Sequence, residues 1–201
     1  MNFRTKHSRL AAAAVGALAA CTLGISATPA SAAASDGYIR GAGSIYDDFG
    51  DEGTLSISTY ANSNLACFWQ QVLYAEGARE SDESNFDRSD IDGNFGSNTR
   101  FATRTLQYRW GLDADGLVGN GTFGKLDAKR EYTDVDGGTW VGKLQYVSTM
   151  DDGDIKAKYH GKLYSFDMYR SAETGRWSFR GLGADELDSI MQIRYTGENQ
   201  C

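Results

Sequence analysis

Apolar side chains recur at helical spacing through the middle of this chain and alternate on either side of it. Leu65, Phe68, Trp69, Val72 and Leu73 mark a first helix, with Asn62 or Ser63 as N-cap and Gly77 as stop. A polar, acidic loop covers Arg79 to Asp90. A second helical pattern starts near Ser97, carries Phe101, Ala102, Thr105, Leu106 and Trp110, and ends at Gly111. A third, shorter one runs from Gly121 through Phe123 and Leu126 to Lys129. Before them, residues 33–60 read as a loosely ordered Gly-, Asp- and Ser-rich arm, with a short strand at Leu55–Tyr60. After Tyr132, Trp140–Val147 and Lys158–Arg170 alternate as strands, and Arg176–Arg180 returns as a third. Met150–Asp154 and Ser171–Gly175 read as turns. A short helix over Gly183–Met191 and a last strand over Gln192–Tyr195 complete the pattern. The fold class expected is α+β: a three-helix bundle over residues 61–130, then a small antiparallel β unit over 131–201, with one disulfide.

The N-terminus changes how the rest is read. Arg4, Lys6 and Arg9 precede an apolar run from Leu10 to about Ile25, then Ala30-Ser31-Ala32, the order of a secretory signal peptide spanning residues 1–32. The run is short for a membrane span. Leu18-Ala-Ala-Cys21 also resembles a lipobox, which leaves lipid attachment at Cys21 as the alternative. Without residues 1–32 the chain keeps 17 basic against 27 acidic residues, a net −10. That balance disfavours nucleic acid, whose affinity rests on Lys and Arg at phosphates. It also disfavours simple attraction to an anionic wall or membrane. Cys67 and Cys201 remain, and an exported chain with two cysteines most simply forms one disulfide between them. Two free thiols, or a bridge between molecules, are the other arrangements.

Within the helical window a decapeptide recurs: Asp90-Ile-Asp92-Gly93-Asn-Phe-Gly96-Ser-Asn-Thr99 returns as Asp113-Ala-Asp115-Gly116-Leu-Val-Gly119-Asn-Gly-Thr122. Asp-Gly makes a turn with Gly at positive φ. Phe95 or Val118 then plugs the loop into the core, and Ser97 or Asn120 is placed to cap the helix that follows. Asp-x-Asp-Gly also echoes a calcium loop. Aligning either glycine with that loop's invariant glycine puts Thr99 or Thr122 where a bidentate Glu is needed, so no metal site is expected.

These residues carry a resemblance. Val72-Leu73, Asp92–Thr99, Ala102–Gln107, Gly111–Gly119 and Thr122–Leu126 resemble the peptidoglycan-binding domain family over about Asn64 to Lys129, in order and spacing. Leu106, Phe123 and Ser97 stand where that family commonly has Phe, Trp and Pro. The resemblance implies a three-helix bundle with a shallow groove for muropeptide or glycan. It also implies a secreted or wall-associated, monomeric binder of peptidoglycan without a cofactor. The groove residues expected on it are Asp92, Gly93, Asn94, Gln107, Trp110, Asp115, Gly116 and Leu117.

Catalysis finds little support. A zinc hydrolase needs several ligands, commonly two or three His, and His160 alone remains after residue 32. A cysteine transpeptidase needs Cys paired with His, whereas Cys67 lies on a helix and Cys201 ends the chain. A carboxylate-dependent hydrolase stays open, because acidic residues are plentiful. A secreted module that binds or inhibits another protein is the third reading. Trp69, Trp110, Trp140 and Trp177 are candidates for stacking on sugars or for core packing.

Overall fold

A computed structural model describes residues 34–127, 131–133, 139–141, 143–182, 190–197 and 200–201. The expected signal peptide, Cys21, Lys129 and most of the expected Gly183–Met191 helix lie outside these residues.

Helix α1, Asn64–Glu76, begins where the sequence places it. Ser63 is the N-cap, its Oγ accepting from Ala66 N–H at 3.1 Å, and Gly77 closes the helix in the left-handed region at φ 57°. Helix α2, Ser97–Arg109, buries only Thr99, Ala102, Thr103, Leu106 and Gln107. Helix α3, Asn120–Phe123, is a single turn. Gly96 and Gly119 occupy the N-cap positions of α2 and α3 without any side-chain cap, so Ser97 and Asn120 do not cap as expected.

The three-helix bundle is therefore corrected. One turn cannot contribute a bundle face. Every residue of α1 except Tyr74 is buried, on all sides, which marks a helix inside a core rather than one of three amphipathic staves.

What encloses α1 is a sheet. Strands β1 (Glu131–Thr133) and β2 (Thr139–Val141) form a separate antiparallel ribbon. Strands β3 (Leu144–Thr149), β4 (Ile155–His160), β5 (Ser165–Arg170), β6 (Trp177–Arg180) and β7 (Ile190–Gln192) form one antiparallel meander in chain order. The expected strand Trp140–Val147 is split between β2 and β3. The expected strand Lys158–Arg170 is two strands with a turn between. That turn seats on the end of α1: Leu163 and Tyr164 N–H donate to Ala75 O at 2.8 and 3.1 Å. A Cβ at Gly161 would lie 2.3 Å from that same oxygen. Met191 belongs to β7, not to a helix.

The inner sheet face (Ala157, Tyr159, Phe166, Met168, Trp177, Phe179 and Met191) is buried against α1. Phe68 sits edge-on to Phe166 and Phe179 at 6.2 and 5.4 Å. The N-terminal segment joins the same core. Ile39, Phe49 and Leu55 are fully buried, and Phe49 lies 5.4 Å from Trp177. Residues 38–55 are thus packed rather than a loose arm. Leu55–Tyr60 makes one bridge to Val118 and a tight Ser56–Thr59 turn instead of a strand. Each buried aromatic or aliphatic side chain contributes about 1.5–3 kcal/mol, so one core shared by all segments is what stabilises the chain.

The polar residues of α1 are tethers to its surroundings. Asn64 Nδ2 donates to Gln192 O at 3.2 Å and Gln200 Oε1 at 3.0 Å. Gln71 donates to Arg180 O at 2.7 Å and accepts from Leu182 N–H at 3.0 Å. Glu76 pairs with Lys143, with Arg109 at 2.8 Å, and with Tyr159 OH at 2.9 Å. Cys67 is bonded to Cys201, the one disulfide expected. Among the described residues no helix is long and apolar enough to cross a membrane.

Candidate functional site

The two Asp-Gly loops fold as their sequences ask. Gly93 and Gly116 take φ 69° and 75°. Phe95 and Val118 are fully buried plugs. Asp92 Oδ1 and Asp115 Oδ1 each accept the N–H two residues on, Asn94 and Leu117, both at 2.8 Å. Each loop also pairs with an upstream segment, Asn94 with Asn62 and Val118 with Leu55.

A glutamine holds each loop from inside. Gln107 on α2 accepts from Gly116 N–H at 2.8 Å. Its amide nitrogen reaches Asp115 Oδ1, Leu117 O and Thr122 Oγ1 at 3.0, 2.8 and 3.0 Å. Gln70 on α1 does the same for the first loop, and sequence reasoning missed it. At 1% exposure Gln107 is buried beneath the loop that it holds.

Trp110 is also committed, being 9% exposed, edge-on to Trp69 at 6.3 Å, with the Lys143 ammonium 5.8 Å over its ring. Trp69 and Trp177 are fully buried; Trp69 Nε1 donates to Thr103 Oγ1 at 2.8 Å. Three of the four tryptophans are thus core, and the side chain of Trp140 lies outside the described residues.

The second loop borders a shallow depression of about 280 Å³, with Thr54, Leu112, Asp113, Asp115, Leu117 and Gly121 on its walls and Gln107 and Thr122 at its base. Leu117 is 40% exposed there. Of the expected groove residues, Gln107, Asp115 and Leu117 line this depression, and Gly116 is the turn between them. Asp92, Gly93, Asn94 and Trp110 lie outside its lining. Thr54, Leu112 and Asp113 were not anticipated. Asp113 opens the second copy of the repeat, a usable signal; Thr54 joins only through the Leu55–Val118 pairing.

The carboxyl groups with raised pKa lie elsewhere. Burial pushes Glu52 to about 8 and Asp127 to about 6, and raises Asp48 despite its Arg170 partner at 2.6 Å. All three are enclosed by the core. Burial, with Glu80 alongside, also raises Asp90, on the loop before α2. His160 bonds Gln145 Oε1 at 2.7 Å and Ser165 Oγ at 3.1 Å across the sheet. Among the described residues no group of three or more His, Cys, Asp or Glu is placed to hold a metal.

Comparison with protein families, with curated proteins and with solved structures finds no match to this chain.

Proposed function

We propose that this protein is exported and binds peptidoglycan without cleaving it, using the depression at the second Asp-Gly loop. The observation that carries the reading is the construction of that depression. A rigid loop, locked from below by Gln107, presents Asp113, Asp115 and Leu117 to solvent beside Thr54 and Leu112. Carboxylates and a hydroxyl suit the hydroxyl and amide groups of a muropeptide. Leucines suit the apolar face of a sugar ring or an alanine methyl. A site prearranged by buried hydrogen bonds loses little entropy on binding.

Two further points support it. The motif resemblance, over about Asn64 to Lys129, includes this loop along with the first, and the Cys67–Cys201 bond fits an oxidising compartment. A general acid needs a carboxyl with a raised pKa at the ligand. The four carboxyls so raised among the described residues, Asp48, Glu52, Asp90 and Asp127, do not line the depression.

The test is co-sedimentation of the mature protein with purified sacculi, with turbidity followed in the same tubes. The expected result is pelleting at constant turbidity. Leu117→Ala and Asp113→Asn should reduce the pelleted fraction without moving the thermal midpoint. Folded protein that stays in the supernatant refutes the reading, and clearing of the suspension replaces it with a hydrolase.

A further inference from the structure

The two copies of the repeat use their leading aspartates differently. In the first, Asp90 Oδ2 accepts from Asp87 N–H at 2.7 Å, and Oδ1 accepts from Asn98 Nδ2 at 3.4 Å. In the second, Asp113 is exposed, and its carboxylate accepts no hydrogen bond among the described residues. Asp115 uses Oδ1 for Leu117 N–H and Gln107 Nε2, and its Oδ2 has no partner among the described residues. Neither carboxylate is in an ion pair among those residues.

The charge of the depression is therefore one-sided. Its lining holds Asp113 and Asp115 and no Lys, Arg or His. Two cations approach the same loop, Arg100 and Arg104 on α2. A Cβ at Gly116 would lie 2.7 and 3.0 Å from their Cγ atoms, so both stems pass over the loop at its glycine. Arg104 Nε donates to Ala114 O at 2.9 Å. Neither these two nor Lys125, just after α3, line the depression or pair with its carboxylates. They soften its charge without filling it. An anionic group is repelled there and an ammonium is attracted. Peptidoglycan carries many carboxylates. It carries a primary ammonium only at a diamino acid left without a cross-link, or at a deacetylated sugar.

We propose that the depression recognises the free side-chain ammonium of a stem-peptide diamino acid, with Asp113 and Asp115 as its counter-charges and Leu112 and Leu117 along its methylene stem. The inference rests on the peptidoglycan reading above and narrows it to stems that are not cross-linked. An alkylammonium presents three donors at the end of a flexible apolar chain. The two carboxylates and the Thr54 hydroxyl supply acceptors, and Leu117, 40% exposed, gives the chain a surface to lie on. At about 280 Å³ the depression falls below the roughly 300–1,000 Å³ of pockets that enclose a drug-sized ligand. It suits one side chain and the alanine beside it rather than a disaccharide.

The test titrates the full mature protein with three soluble probes. The first is the stem peptide L-Ala-γ-D-Glu-L-Lys-D-Ala, blocked at its N-terminus and free at the lysine amine. The second is the same peptide acetylated at that amine, and the third is a deacetylated glucosamine disaccharide. Two exposed ion pairs are modest, so the free-amine peptide should bind about fivefold more tightly than the acetylated one. The difference should shrink with added salt, and Asp113→Asn should abolish it. Equal binding of the two peptides, or an Asp113→Asn variant that keeps the preference, overturns the inference. Tighter binding of the disaccharide assigns the amine to a deacetylated sugar and overturns it as well. Sacculi treated with acetic anhydride separate this inference from the reading it rests on. Walls that pellet the protein equally before and after acetylation refute the amine and leave peptidoglycan binding standing. Native walls that pellet none of it refute that reading, and the inference falls with it.

Discussion

Gln70 on α1 and Gln107 on α2 hold two different loops with the same set of atoms. Each side-chain oxygen accepts from the loop glycine, at 2.7 Å from Gly93 N and 2.8 Å from Gly116 N. Each amide nitrogen donates to the loop aspartate, to the carbonyl two residues beyond it, and to the threonine seven residues beyond it. For Gln70 these are Asp92 Oδ1 at 2.7 Å, Asn94 O at 3.1 Å and Thr99 Oγ1 at 3.1 Å. The repeat seen in the loops is therefore a repeat of a gripped loop, and the grip comes from the helix before it.

The glutamines should thus act on stability. Gln70→Ala and Gln107→Ala each strand several buried donors and acceptors, and each should cost about 2–4 kcal/mol in urea unfolding. Gln107→Ala protein that remains folded should lose sacculus binding through loop disorder, seen as faster amide exchange at Gly116 and Leu117. A full-strength fold with selectively weakened binding would instead make Gln107 a ligand contact.

Acidity should stabilise this protein relative to mild alkali. Glu52 is buried beside Tyr195, whose hydroxyl it accepts, and burial lifts its pKa from an ordinary 4.5 to about 8. The folded state then binds the proton more tightly than the unfolded state, so stability is lost as pH rises from about 4.5 to 8. Asp127, raised from 3.8 to about 6, acts in the same direction at lower pH. Asp82 and Asp87, lowered by hydrogen bonds from Ser84 and Ser89, act oppositely only at more acid pH. Melting temperature should be higher at pH 5 than at pH 8.5. Glu52→Gln should flatten that slope and raise the midpoint at pH 8.5; an unchanged slope would mean that Glu52 is ionised throughout.

Local signals were legible and distant ones were not. Ser63 and Gly77 bound α1 through contacts within a few residues, and Gly153 and Gly175 set their turns by positive φ. The break between β4 and β5 was also written in the chain. Ala157 and Tyr159 are buried at odd positions, Phe166 and Met168 at even ones, so the alternation changes phase. Leu163 hid the change by keeping the earlier beat, although it is exposed. The N-terminal segment gave no such clue. Its burial depends on partners far along the chain, as Asp48 bonds Arg170 at 2.6 Å and Trp177 Nε1 at 3.0 Å, and a single-turn α3 reads much like a longer helix. In the site, Asp115, Gly116 and Leu117 were readable from the repeat. Gln70 was not, because it lies 22 residues before Asp92 and outside the repeated segment.

The disulfide secures the C-terminus to the central helix. Its residues are 134 apart in sequence, and a closure that long is worth about 3–5 kcal/mol in the chain-entropy account. Cys201→Ser should lower the melting temperature and expose residues near Gln200, which hydrogen-bonds Asn64 at 3.0 Å, to carboxypeptidase. Because Cys67 is fully buried, it should alkylate slowly in that variant until the protein is unfolded. Rapid labelling in native buffer would show that the bond, rather than packing, keeps α1 enclosed.

Glu76 makes the helices and the sheet one cooperative unit. Its carboxylate, at the end of α1, takes Arg109 from α2, Lys143 from the start of β3 and Tyr159 from β4. Arg109 is partly solvated, but Lys143 is 7% exposed, so removing Glu76 leaves a buried ammonium without its counter-charge. Glu76→Ala should cost about 3–5 kcal/mol, whereas Glu76→Met with Lys143→Met removes both charges and should recover most of that loss. In the wild type, far-UV circular dichroism and tryptophan fluorescence should report one coincident urea transition. Two separated transitions, or a double variant no better than the single, would show that the helical and β segments fold independently and that Glu76 is only a local contact.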